Sequence, residues 1–223
     1  MPAGRYYFRT PVQTTFRYIA VEGVIGAGKT TLATRLAHHF GARLLLESFA
    51  DNPFLDKFYR QPDRYAFPLE MSFMAERFQQ LKTVLHATDL FGQPVVSDYI
   101  FPKSLLFART NLKEAEYNLF QTLYRIMAPQ LSPPDLLIYL QCPVEKLLQH
   151  IHKRGRPYEL GISSKYLQSL ADIYENFLRQ PPCPVLIVSR AEVDFSTYPD
   201  HFNRLAAKLA GPAWRGTEVL QIN

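Results

Sequence analysis

The feature that most narrows what this chain can fold into is Gly23-Val24-Ile25-Gly26-Ala27-Gly28-Lys29-Thr30. It is a G-x-x-x-x-G-K-T run set between the apolar segment Tyr18 to Val21 and a helical stretch that starts at Lys29. Its glycines let successive backbone N–H groups turn inward on an anion, and the helix N-terminus aims a partial positive charge at the same point. Lys29 then reaches the transferring phosphate of a nucleotide, and Thr30 offers a hydroxyl to Mg²⁺. A plain glycine-rich turn requires neither flank. The loop and the following Thr31 are therefore read as an ATP site.

Short apolar runs recur at Tyr18 to Val21, Arg43 to Leu46, Pro94 to Val96, Leu136 to Leu140 and Val185 to Val188. Helical periodicity fills stretches between and after them, from Lys29 to Phe40, Lys113 to Met127, Val144 to Lys153 and Ser164 to Arg179. Apolar strands alternating with helices are the pattern of a parallel sheet covered on both faces, so the fold class is α/β with five parallel strands. The longest helix carries Phe67, Met71, Met74, Phe78, Leu81 and Leu85 as one buried stripe, with Pro68 suited to its first turn. At 223 residues, 47% of them hydrophobic, the chain has the size of one domain. That domain is placed at 18–210, between an extension at 1–17 and a tail at 211–223.

No apolar run of about 18 residues occurs, and the N-terminus lacks the apolar core of a secretory signal. The expectation is a soluble, cytoplasmic protein without membrane contact. Cys142 and Cys183 show neither metal-ligand nor CxxC spacing and are read as reduced thiols. The net charge of +5 admits a nucleic-acid partner, but the basic residues are spread along the chain, which suits a polyphosphate ligand and no nucleic-acid polymer. Arg5, Arg9 and Arg17, with several aromatics and no acid among residues 1–17, fit either a targeting arm or a bland extension.

ATP binding leaves the acceptor open, since such loops serve kinases, GTPases, motors and transporters alike. Glu47 closes the second apolar run, and ligands of open parallel sheets bind beyond the carboxyl ends of the strands. A carboxylate there can take a proton from an attacking hydroxyl, or simply cap a strand at the surface. The segment His150 to Glu159 gathers Lys153, Arg154 and Arg156 around Gly155. These are cations suited to a helix C-terminus, or a basic cover for phosphates.

Together with Asn52 to Tyr59, Tyr65 to Gln80 and Val95 to Ala108, these segments stand in an order that resembles the deoxynucleoside kinase family over most of residues 18–190. The resemblance is nearest to the bacterial deoxyadenosine and deoxyguanosine kinase branch, including kinase modules fused to a pterin pyrophosphokinase. No such second module fits in 223 residues. The resemblance implies a P-loop kinase fold with a basic lid, Mg²⁺ with ATP as phosphate donor, a homodimer, and phosphorylation of a deoxynucleoside 5′-hydroxyl. It makes Glu47 the general base, and places Tyr59 against the sugar 3′-hydroxyl with Glu159 beside it. Lys29, Arg154 and Arg156 become the charges around the transferred phosphoryl group.

Three positions depart from the family. Many relatives carry an acid-Arg-Ser motif after the third strand, where this chain has Ser97-Asp98-Tyr99 and no arginine. Asp98 either matches the acid, which makes it a Mg²⁺-side carboxylate with Thr30, or replaces the arginine. His150 stands where relatives often have another lid arginine, which weakens phosphate closure or ties it to pH. Glu70 falls where relatives place a glutamine that pairs with the base. Ionised glutamate offers only acceptors, and guanine presents adjacent N1–H and N2–H donors, so the substitution favours deoxyguanosine or another purine with an N1–H. Glu70 also reads as a solvent-facing residue or a first-turn acid favoured by the helix dipole. The preferred reading is a deoxynucleoside 5′-kinase. A thymidylate-type monophosphate kinase and a nucleotide-binding regulatory module without turnover are its alternatives.

Overall fold

A computed structural model describes residues 13–48, 52–195 and 197–221. The chain runs through Tyr18–Glu22 (β1), Lys29–Phe40 (α1), Arg43–Leu45 (β2), Leu55–Arg60 (α2), Pro62–Phe91 (α3), Val95–Ser97 (β3), Lys103–Asn111 (α4) and Glu114–Met127 (α5). It continues through Leu136–Gln141 (β4), Val144–Arg154 (α6), Ser164–Phe177 (α7), Val185–Ser189 (β5), Pro199–Ala210 (α8) and Thr217–Val219 (β6).

The strands form one parallel sheet in the order β2-β3-β1-β4-β5-β6. The sequence predicts five strands; the sixth, β6, comes from the region read as a tail and pairs Thr217 to Val219 with Val185 to Ile187. Its three residues are exposed or half-buried, as an edge strand's are, so no apolar run announces it. The central β1 is buried along its whole length, which is why it reads as a continuous apolar run. The chain leaves β1 toward β2 on one side and leaves β4 toward β5 on the other. The carboxyl ends of the adjacent β1 and β4 therefore open a crevice where ligands of such sheets bind.

Helices cover the sheet because their apolar positions recur at helical spacing. On α1 the buried set is Leu32, Ala33, Leu36, Ala37 and Phe40, and Gly41 ends the helix in the left-handed conformation at φ 60°. The long helix α3 departs from the expected single stripe. Met74 and Leu81 are buried, but Phe67, Met71, Phe78 and Leu85 are only partly so, while Leu69, Glu70, Phe73, Arg77 and Val84 are also buried. The cause is that α3 packs against α2, α4 and α5, so more than one face is covered. Pro68 is not in its first turn: α3 begins at Pro62, and Pro68 lies inside it.

Residues 1–12 of the predicted extension lie outside the described residues. Beyond them, Thr14 Oγ1 donates to the Leu209 carbonyl at 3.0 Å, and Phe16 meets Trp214 edge-on at 5.5 Å. Cys142 and Cys183 are free thiols. Among the described residues no helix is long and apolar enough to cross a membrane.

Candidate active site

The glycine-rich loop leaves β1 and enters α1 across the crevice. Gly23, Gly26 and Gly28 all have positive φ, at 152°, 87° and 95°. A Cβ on Gly26 would lie 2.9 Å from the Leu147 carbonyl oxygen, so α6 admits only glycine there, while Gly28 has open space around it. His150, from α6, meets the Gly26 carbonyl through Nδ1 at 2.8 Å, which places that carbonyl as acceptor and the proton on Nδ1. Val24 and Ala27 are buried and joined by a turn hydrogen bond of 3.1 Å. Lys29 Nζ is folded over the loop, donating to the carbonyls of Gly23 (2.9 Å) and Val24 (3.2 Å). Burial lowers its pKa to about 8, with repulsion from Lys103 adding to the effect and Glu22, Glu47 and Asp98 opposing it.

Glu47 lies two residues past the end of β2, not on the strand, and its side chain turns into the cavity. Arg77 Nε donates to Oε1 at 2.7 Å, and Lys103 Nζ donates to Oε2 at 2.5 Å. Burial pushes the Glu47 carboxyl up, but the Lys103 and Arg77 cations more than offset that and hold it at about 2. It is therefore ionised and fixed in orientation, as a proton acceptor must be. Asp98 sits directly alongside: its Oδ1 accepts from the Glu47 backbone N–H at 2.8 Å, and its Oδ2 accepts from the Thr30 hydroxyl at 2.6 Å. The sequence left two places open for Asp98, and the fold puts it beside Thr30.

The basic segment closes the cavity from the other side. Glu159, buried to 6% exposure, accepts from Arg154 and from Arg156, the latter at 3.3 Å. Tyr59 on α2 stacks on Tyr158 at 5.9 Å, and its phenol is held neutral by burial, which raises its pKa, with nearby Glu159 contributing. All four of Tyr59, Arg154, Arg156 and Glu159 line the same cavity as Lys29, Thr30 and Glu47, a space of about 760 Å³ with its open mouth included.

Glu70 also lines this cavity and is only 1% exposed, so it neither faces solvent nor belongs to the first turn of a helix that starts at Pro62. Asn111 donates to its Oε1 at 2.6 Å, while Oε2 is buried with no hydrogen-bond partner among the described residues. Burial pushes its carboxyl up to about 7, against the pull of Arg77 and the Asn111 hydrogen bond. Tyr166 of α7 faces Asn111 and lines the same wall.

Of the candidate site residues, Ile25, Gly26, Lys29, Thr30, Glu47, Tyr59, Glu70, Asp98, Arg154, Arg156 and Glu159 line this one cavity, and Gly28, Thr31, His150 and Lys153 line the adjoining cleft. Sequence reading missed Glu22, Arg77, Lys103, Asn111 and Tyr166. Glu22 is wholly buried and accepts from the N–H groups of Gly23 (3.1 Å) and Ile100 (3.0 Å) and from the Tyr174 hydroxyl (2.8 Å). It thereby ties the start of the loop to β3's exit and to α7. The one signal available was helical spacing: Arg77 lies seven residues after Glu70 and so shares its face of α3.

A family model described as deoxynucleoside kinase matches residues 19–211. Deoxyguanosine kinase of Bacillus subtilis (strain 168) is 38% identical over 198 residues, covering 86% of this chain and 96% of that protein. Deoxyadenosine/deoxycytidine kinase of the same organism is 35% identical over 176 residues, covering 75% of this chain and 80% of that one. Among solved structures, deoxyadenosine kinase from M. mycoides with bound dATP superimposes with a TM-score of 0.76 at 25% identity, covering 87% of this chain and 100% of the other. The family model spans β1 to the end of α8, and the chain belongs to the deoxynucleoside kinase family.

Proposed function

We propose that this phosphotransferase moves the γ-phosphate of ATP to the 5′-hydroxyl of a deoxynucleoside, with deoxyguanosine as its preferred acceptor. The observation that carries the reading is a single cavity lined by the phosphate loop, by the buried Glu70 and by the ionised Glu47. A nucleoside laid along it puts its base at Glu70 and Asn111, its sugar at Tyr59 and Glu159, and its 5′-oxygen at Glu47.

In the transfer, the 5′-oxygen forms a bond to the γ-phosphorus while the bridging bond to the β-phosphate breaks, its electron pair leaving on ADP. The hydroxyl proton passes to Glu47. Such a reaction is accelerated by positioning and by charge around the transferring group, supplied by Lys29 and by Arg154 and Arg156 once ATP competes with Glu159 for them. The adjacent oxygens of Thr30 and Asp98 suit Mg²⁺, which takes few protein ligands and keeps waters and phosphate oxygens around it. Held there with ATP, Mg²⁺ would supply positive charge to offset that of the phosphates. The reading places the enzyme in the cytoplasm, where ATP is abundant, and as a homodimer. Leu119 and Ile126, on one face of α5 and 53% and 63% exposed, supply apolar surface for a second copy.

The test is an assay of Mg-ATP with each deoxynucleoside and each corresponding monophosphate. Deoxyguanosine 5′-monophosphate is the expected main product, and diphosphates formed from monophosphates in its place would sink the reading.

Guanine's two adjacent donors match Glu70 in its ionised form, whose Oε2 has no hydrogen-bond partner among the described residues, whereas glutamine presents one donor and one acceptor, as adenine requires. Glu70→Gln is therefore expected to lower the deoxyguanosine-to-deoxyadenosine ratio of kcat/KM by about tenfold or more. An unchanged ranking of the four deoxynucleosides removes Glu70 from base recognition.

Lys29 provides a second expectation. With a pKa lowered to about 8, it is largely uncharged above that pH in the free protein, and bound phosphates restore its ammonium form. ATP binding at about pH 9 is then accompanied by uptake of about one proton. Calorimetry in two buffers of different ionisation enthalpy measures this uptake, which Lys29→Ala abolishes.

A further inference from the structure

Lys103 is the least expected charge in the cavity. It opens α4 directly after Pro102, with no acid in the helix's first turn, so the helix dipole disfavours a cation there. It is nevertheless buried to 5% exposure. Its ammonium is anchored on Glu47 Oε2 and lies 5.4 Å from the centre of the Phe107 ring, one turn further along α4. Yet Glu47 already has a cation: Arg77 engages Oε1 through two nitrogens, each at 2.7 Å. Lys103 also favours the charged forms of the buried Glu22 and Glu70, so several carboxylates share it and Glu47 alone does not account for its burial. Lys103 is also close enough to Lys29 that its charge helps to lower the Lys29 pKa. Two lysines, Lys29 from the phosphate loop and Lys103 from α4, line the cavity together with Glu47.

We infer that Lys103 is a second catalytic lysine, whose ammonium holds the acceptor's 5′-oxygen and the incoming phosphoryl group as the hydroxyl proton leaves for Glu47. The inference rests on the reading of Glu47 as the base. Before transfer, Lys103 and Arg77 keep Glu47 ionised. As the 5′-oxygen bonds to phosphorus and the P–O bond to ADP breaks, Glu47 takes the proton and loses its charge. The ammonium, still protonated, then has a stronger partner in the phosphoryl oxygens than in the neutral carboxyl. Lys103 thus supplies, from the first turn of α4, a cation that the Ser97-Asp98-Tyr99 segment does not carry.

The experiment compares Lys103→Met, Lys103→Gln and Glu47→Gln in the full chain, with deoxyguanosine and Mg-ATP. Both Lys103 variants are expected to lose about 100-fold or more in kcat while ATP affinity stays within about threefold, since one donor is lost at the reacting oxygen. The acid limb of their pH–rate profiles moves to higher pH, because Glu47 loses one of the cations that keep it ionised. Lys103→Gln still donates to Glu47 and decides the matter if Lys103→Met does not fold. Either variant keeping kcat within about threefold overturns the inference, as does a loss of kcat with an unmoved acid limb and lowered ATP affinity, the signature of a merely structural lysine. If Glu47→Gln keeps its activity, the base assignment falls and this inference with it. If Glu47→Gln is inactive while the Lys103 variants are not, only the inference about Lys103 falls.

Discussion

Glu47→Gln is expected to lower kcat for deoxyguanosine by between about 10² and 10⁴, the range that a positioned general base contributes. The amide has nearly the size of the carboxylate and cannot accept the 5′-hydroxyl proton. A second effect accompanies the first. Arg77 and Lys103, both nearly inaccessible, lose the anion that compensates them, and breaking a buried pair in this way costs about 3–5 kcal/mol. Because Glu47 is held at about 2, below its ordinary 4.5, its contribution to stability is complete above about 4.5 and is lost as the pH falls through about 2. The stability gap between wild type and variant is therefore full at neutral pH and closes on acidification. Thermal melts across that range report it, and kcat is compared below the variant's Tm. Glu47→Asp separates the two effects: it keeps the charge that Arg77 and Lys103 require, but draws the base back by one methylene, a misplacement worth about 10² in rate. A Glu47→Gln enzyme that retains more than a tenth of its kcat while folded would end the assignment of Glu47 as base.

Lys29→Ala is expected to cut kcat by about 10²–10³, the cost of removing one donor aimed at developing charge. The free protein stores this lysine on the carbonyls of Gly23 and Val24, within the loop itself. ATP has only to exchange those two acceptors for phosphate oxygens, so the side chain is already desolvated and nearly in place. Lys29→Arg is expected to do poorly as well, since a planar fork is not a compact ammonium. Single-turnover transfer at saturating Mg-ATP separates the chemical loss from weakened binding. Unchanged single-turnover rates in Lys29→Ala would show that the loop binds ATP without Lys29 taking part in transfer.

Much of this arrangement was legible before folding. The inner strands β3, β1, β4 and β5 announced themselves as near-continuous apolar runs because both faces of the sheet are covered there, while the edge strand β2 showed as the run Arg43 to Leu46. The phosphate loop was legible because its chemistry is local: three glycines, a lysine and a threonine act within one turn of chain. Glu47, Tyr59, Arg154, Arg156 and Glu159 were legible only as a family pattern, and the fold gathers them around one cavity. Less was legible where packing decided. Pro68 read as a helix start, but six further residues of α3 precede it and Pro62 takes that place. The edge strand β6 has too little apolar character to stand out, and its pairing with β5 is what makes it a strand.

The sequence by itself determined the sheet's central strands, the anion-binding loop and the kind of ligand that loop can hold, because each depends on the backbone conformation or apolar pattern of a few consecutive residues. Only the tertiary structure decided the company that the carboxylates keep. Arg77 is 30 positions from Glu47 and Lys103 is 56, and no local pattern links them. Their meeting sets Glu47's charge, just as burial beside Asn111 sets Glu70's. Protonation depends on desolvation and on charges across a few ångströms of space, and those distances come into being only when α3, α4 and the loop after β2 pack against one another.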